Sequence, residues 1–134
     1  MCILFLLSKG VDFKKKMIII GNKKMNSFIA DTPRKMTIGL MFRNGMKPNE
    51  CMSFFFPNDG YHPIWMRNMK FPIDIVWCDK NKRVVDFVEN AMPSARFDFS
   101  SFRPKKPSRY VIEFNSGFIK RNKIKIKDVA KFGI

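Results

Sequence analysis

In the stretch IWMRNMKFPIDIVW (residues 64–77), four polar side chains, Arg67, Asn68, Lys70 and Asp74, sit among nine large apolar ones. These residue types support recognition chemistry. A guanidinium forks onto a carboxylate or phosphate, an amide both donates and accepts, and a carboxylate holds a cation or a row of N–H groups. Strand alternation places Trp65, Arg67 and Met69 on one face and Ile64, Met66 and Asn68 on the other. Arg67 is then expected over Trp65 as a cation–π pair, worth about 0.5–1 kcal/mol when exposed, or forked onto Asp74 or Asp86. Asp74 shares its face with Val76 and Cys78, so partial burial is expected. A buried carboxylate needs a partner, and Arg67 and Arg43 are the candidates. Asn68 precedes the Lys70–Pro72 bend, where its amide can bond local backbone. The candidate ligand-binding set is therefore Arg43, Trp65, Arg67, Asn68 and Asp74. Two readings stay open for it: fastenings of a fold, or a small-molecule site.

A second set lies in ARFDFSSFRPKKPSR (95–109), where Phe97, Phe99 and Phe102 interleave with Arg96, Arg103, Lys105, Lys106 and Arg109. Rings beside a cationic track are how single-strand binders hold nucleic acid without sequence preference. The bland reading is that the rings pin the loop to the body of the protein. The Lys-rich C-terminal segment, from Lys120 to Lys127, extends the same basic character.

Nucleophilic catalysis has little to work with. His62 is the one histidine, and no serine sits in a nucleophile-elbow pattern. Paired carboxylates for a hydrolase would have to come from Asp74, Asp86, Glu89 or Glu113, whose separation sequence does not give. The three cysteines, Cys2, Cys51 and Cys78, form no CxxC pair, and there is no glycine-rich phosphate loop. The expectation is a metal-free, cofactor-free cytoplasmic protein, more a binder than an enzyme. Its candidate partners are a small molecule, a nucleic acid or an anionic surface.

Positioning these groups falls to a chain of 134 residues, the size of one domain, whose 46% hydrophobic content excludes a disordered polymer. The net charge of +15 is uneven. Residues 1–50 carry an excess of seven positive charges and residues 101–134 an excess of eight, while the middle is neutral. Such a field attracts polyanions, although solvated lysine-rich faces account for it equally well. MCILFLL at the start is too short to span a bilayer, which takes about 20 apolar residues. Residues 1–16 are expected to be a flexible extension or an over-long start, ahead of one β domain at 17–134. The rival reading is a weak surface anchor assisted by Lys14–Lys16.

From Met17 the pattern is of short strands: 17–20 and 25–30 around a Gly21-Asn22 turn, 51–57, 61–69, 73–78 and 83–89 around a turn at 79–82, 110–114, and 124–128. One helix is expected after Thr32 as cap and Pro33 at its first position, with Met36 and Leu40 inward, Gly39 inside it, and Asn44-Gly45 as its stop. The fold class is mainly β, a small β-barrel or jelly-roll-like sandwich with one short helix.

GLMFR (39–43), SFFFP (53–57), Trp65-Met66-Arg67-Asn68, Pro72-Ile73-Asp74, RVVDFVENAMP (83–93) and YVIEFNSG (110–117) follow one another in an order that resembles domain-of-unknown-function family 192, uncharacterised protein family 0127. The resemblance spans roughly Met25 to Asp128 and implies a compact β-barrel or jelly-roll-like domain with a small helix. It implies no activity. The family's usual Gly-Asp near the C-terminal strand is Lys127-Asp128 here.

Overall fold

The computed structural model of the chain describes residues 3–95 and 97–133. Seven strands run as β1 (Lys15–Ile20), β2 (Lys23–Ala30), β3 (Glu50–Gly60), β4 (Ile73–Cys78), β5 (Val84–Ala91), β6 (Ser108–Asn115) and β7 (Lys131–Phe132). Three short helices accompany them: α1 (Ile3–Ser8), α2 (Pro33–Ile38) and α3 (Phe118–Asn122). The strands form one mixed sheet in the order β5-β4-β6-β3-β2-β1-β7, curled into a half-barrel. Only β2 and β3 pair in parallel, because α2 carries the chain back across one face between them.

The two ends of the curl meet through the C-terminal segment. Val129 bridges Arg83, and Val84 exchanges backbone hydrogen bonds of 2.8 Å with Lys127 and Asp128. That contact covers part of the β5 edge, which would otherwise offer open N–H and C=O groups.

Alternation along the strands divides the core in two. Val76 and Cys78 of β4, Ile112 and Phe114 of β6, and Cys51 of β3 face one side, closed by Phe118 and Ile119 of α3. Ile73, Ile75 and Trp77 of β4, Val111 of β6, and Met52 and Phe54 of β3 face the other. This second side is covered by the segment 61–71 and by the residues of and after α2. Every residue of β4 is buried, as a strand with both faces covered requires.

Several expectations from sequence are corrected. Three helices stand where one was expected. α2 stops at Ile38, because Gly39 takes φ 47° and ends it, so Leu40 lies beyond the helix and Asn44-Gly45 is not its stop. Thr32 and Pro33 do begin it, Thr32 Oγ1 accepting from the Lys35 N–H at 3.2 Å. Residues 61–69 form no strand; they are a covering loop whose single β-bridge joins Ile64 to Phe102. β3 runs on through Asn58 and Asp59 to Gly60, beyond the 51–57 expected for it. The 124–128 segment is a turn rather than a strand, with Lys127 at φ 77° and Lys125 N–H bonded to Asp128. Within 1–16, α1 lies against α2's neighbourhood: Phe5 meets Phe42 edge-on at 5.3 Å, and Arg34 donates to the Leu7 carbonyl at 2.9 Å.

Candidate functional site

The covered face of the sheet is not completely filled. A cavity of about 200 Å³ remains between β3, β6, the α2 segment and the 61–71 loop. Phe54 and Phe56 of β3 line it from below, Met36 to Met41 form one wall, and Pro63, Ile64, Trp65 and Met69 close it from the loop. Glu113 of β6 is its one ionisable lining residue.

Local backbone chemistry builds the wall and the roof. Gly39 combines a positive φ with a tight approach, since a Cβ there would lie 3.1 Å from the Phe54 ring. Phe42 and Asn68 both sit in the left-handed region, at φ 65° and 62°, a conformation that asparagine tolerates better than most residues. The Phe42 N–H donates to the Asn68 carbonyl at 3.0 Å, and the Asn68 amide reaches the Met41 sulfur at 3.8 Å. Asn68 thus ties the turn after α2 to the turn of the covering loop.

Trp65 is 37% exposed at the mouth of the cavity. Arg67 lies between two rings, its guanidinium carbon 5.4 Å from Trp65 and 4.8 Å from Phe99. The Trp65 contact matches one sequence expectation. The alternative fork onto Asp74 or Asp86 is absent, and Arg67 Nε is buried with no acceptor. Asp86 instead accepts from the backbone of Phe87 and Lys105.

Glu113 is 4% exposed and accepts or donates no hydrogen bond or ion pair among the described residues. It lies on β6 between Met52 of β3 and Ile75 of β4, in the middle of an apolar sheet. Burial pushes its carboxyl from the ordinary glutamate range up to about 8, so that it is mainly protonated at neutral pH. From sequence this residue stood only as one of four carboxylates for a paired hydrolytic site. The overlooked signal is its place in YVIEF, an otherwise apolar strand near the middle of the fold.

Asp74 is elsewhere. It points to the opposite face of the sheet, fully buried, and accepts from the N–H groups of Asn90 at 2.8 Å, Gly117 at 3.2 Å and Ile119 at 2.9 Å. Two of those donors belong to the first turn of α3, which lacks a capping side chain of its own. Its partners are backbone amides, not Arg67 or Arg43, which corrects the expected ion pair. Arg43 lies over Phe28 at 4.4 Å and Phe13 at 5.4 Å, and burial lowers its pKa. Of the first candidate set, only Trp65 lines the cavity, with Asn68 and Arg67 supporting its roof.

The second set is scattered along an extended segment. Phe97, Phe99, Arg103, Lys105 and Lys106 are exposed, while Arg96 lies outside the described residues. Arg109 is engaged with Asp59 at 2.7 Å. Lys106 meets Arg83 and Lys127 around a second depression that also holds Asp79. Cys51 and Cys78 are buried free thiols, both raised to about 12 chiefly by burial. Among the described residues, no three His, Cys, Asp or Glu side chains are grouped so as to hold a metal. No helix among them is long and apolar enough to cross a membrane.

Comparison with known proteins places this architecture. The fold matches the crystal structure of a protein from Sinorhizobium meliloti described as a candidate transcription regulator, with a TM-score of 0.83 and 24% identity over 91% of this chain and 96% of that one. It also matches a protein of unknown function from Novosphingobium aromaticivorans, with a TM-score of 0.78 and 27% identity, covering 92% of this chain and 88% of the other. In sequence, the chain is 32% identical over 104 residues to a UPF0127 protein of Pyrococcus furiosus, covering 74% of this chain and 79% of the relative. A UPF0127 protein of Thermococcus kodakarensis is 29% identical over 78% of this chain, which spans 62% of that relative's length. The DUF192 family model (Uncharacterized ACR, COG1430) matches residues 17–132, and the chain belongs to this family.

Proposed function

We propose that the protein is a non-catalytic recognition module, holding a small and largely apolar ligand in the cavity beneath Trp65. The observation that carries this reading is Glu113: a carboxyl 4% exposed, with no protein partner among the described residues, opening on a mostly apolar space. A carboxyl taken from bulk water into a mostly apolar recess costs free energy, and a fold selected for stability alone replaces it with leucine or methionine. Apolar walls with a few convergent polar groups are what ligand sites share, though drug-sized sites run to about 300–1,000 Å³. The smaller volume here sets the scale of the ligand. A hydrolytic reading would need a second carboxylate opposite Glu113, and the lining holds none.

Differential thermal unfolding against a set of small apolar and amphipathic compounds, followed by Trp65 emission, tests the reading. Binders are expected to raise the melting temperature of the parent and to lose most of that effect in Trp65→Ala. A set of compounds that stabilises neither protein, or both equally, removes this cavity as the site.

A second reading rests on a different observation. Lys106 of the basic loop and Lys127 of the C-terminal segment converge with Arg83, so the two basic regions share one depression. A polyanion bound there would dissociate steeply with added salt, and neutralising Lys105 and Lys106 would weaken it uniformly across sequences. Affinity unchanged between low and high salt would end that reading.

A further inference from the structure

We propose that the ligand class of the Trp65 cavity is a compact organic ammonium ion, its nitrogen set against the Glu113 carboxyl and its apolar body against Phe54, Phe56 and Trp65. This step rests on the small-ligand reading above. The lining contributes three aromatic rings, the thioethers of Met36, Met41 and Met69, one carboxyl, and no Lys, Arg or His. Arg67 already covers one face of Trp65 and His62 one face of Phe56, so the rings offer the ligand's body their remaining surface, and the cation an added attraction where it nears a free face. Thioethers are polarisable and adapt to irregular apolar shapes. An anionic ligand gains nothing from such walls and meets the carboxyl unfavourably once it ionises. A neutral hydroxyl satisfies the carboxyl without using the ring faces. The ammonium ion supplies the counter-charge that the carboxyl lacks, while its body lies against the rings and thioethers.

The proton balance makes the assignment measurable. With no ligand, the Glu113 carboxyl holds its proton at neutral pH. Charged and titratable groups on the surrounding elements are engaged with other partners and do not themselves line the cavity. Lys35 of α2 is 4.0 Å from Asp31, Arg34 donates to Leu7, Arg67 is over Trp65, and His62, stacked on Phe56 at 3.7 Å, donates to the Asn58 carbonyl. Among the described residues, no Lys, Arg or His lines the cavity or pairs with Glu113. When an ammonium ion enters, the carboxyl ionises and its proton passes to the buffer. One proton is released for each ligand bound, and affinity rises with pH until Glu113 is ionised in the free protein.

The test is titration calorimetry of the whole chain near neutral pH, in two buffers of different ionisation enthalpy. The probes are matched pairs: butylammonium and butanol, cyclohexylammonium and cyclohexanol, phenethylammonium and phenethyl alcohol. In at least one pair the ammonium member is expected to bind tighter by about tenfold or more, with release of a proton, and that preference is expected to vanish in Glu113→Gln. An alcohol that binds as tightly as its amine overturns the ammonium assignment and leaves the cavity reading intact. If no probe gives heat or shifts Trp65 emission, both fall. The amine–alcohol preference is measured on the parent, so the test holds whether or not the variant folds.

Discussion

Asp74 and Glu113 are two carboxylates buried in adjacent strands of one sheet, one residue out of register with each other. Asp74 pairs with Phe114, and Glu113 pairs with Ile75. They point to opposite faces, and their surroundings differ completely. Asp74 accepts from three backbone N–H groups and joins β4 to the end of β5 and the start of α3. Glu113 has no protein partner among the described residues and opens on a cavity with mostly apolar walls. Burial alone therefore does not mark a functional carboxylate. The distinction lies in whether the protein itself satisfies the group, and it separates a fastening from a site.

The sharpest way to break this comparison is Asp74→Ala. One buried donor, Ile119 N–H, and two that water can reach, those of Asn90 and Gly117, would lose their acceptor, and at about 1–3 kcal/mol for a buried unsatisfied group the expected loss is about 2 kcal/mol or more. Asp74→Asn, which keeps one carbonyl oxygen, is expected to lose less. Denaturant titration of the three proteins measures this. A loss for Asp74→Ala within about 0.5 kcal/mol, the range of ordinary surface changes, would mean that α3 does not depend on Asp74 for its cap.

Glu113 should behave in the opposite sense. Its folded pKa of about 8 stands above the unfolded glutamate value of 4.5. The native state therefore holds the proton through a window in which the unfolded chain has lost it. The associated stability is fully present below the unfolded value and is lost as pH rises towards about 8. The slope in that window is about 1.4 kcal/mol per pH unit at most. Glu113→Gln is expected to flatten the dependence and to exceed the parent in stability by a few kcal/mol above pH 8. Equal pH profiles for parent and variant would show that the carboxyl is solvated or paired after all.

The sequence carried some of this and hid the rest for definable reasons. Turn chemistry is local, so the Gly21-Asn22 hairpin, the turn before Arg83 and the Thr32-Pro33 helix start were legible. Two alternating segments, 61–69 and 124–128, were misread as strands. A covering loop also turns every second residue inward, as Ile64 and Met66 do, and period alone does not separate the two. α3 was missed because it is barely one turn long and receives its cap from Asp74, 43 residues away in sequence. From sequence Glu113 is only one of four carboxylates for a paired hydrolytic site. Its burial follows from β6 lying between β4 and β3 under a loop, which is a fact of topology.

Asn68 carries the comparison to a smaller scale. Its side chain makes only a long contact with sulfur, while its backbone sits at positive φ and accepts from Phe42. The conformation, not the amide, is then what the fold uses. Asn68→Ala is expected to cost about 1 kcal/mol, from forcing a Cβ residue without local hydrogen bonding into the left-handed region. Asn68→Gly is expected to cost almost nothing. If both lose about 2 kcal/mol, the side chain rather than the backbone is what holds the two turns together.

Arg67 is the last and smallest case, and it stands between the two carboxylates in character. Its guanidinium is satisfied by two ring faces, yet Nε is buried without an acceptor. Arg67→Ala removes a stack worth about 0.5–1 kcal/mol and, with it, an unmet donor, so the two contributions oppose each other. The expected net loss is below about 1 kcal/mol by denaturant titration. Phe99→Ala, which removes one ring and leaves the donor buried, is expected to cost as much or more. A much larger loss for Arg67→Ala than for Phe99→Ala would place Arg67 with Asp74 among the fastenings, held by an acceptor that the ring contacts do not supply.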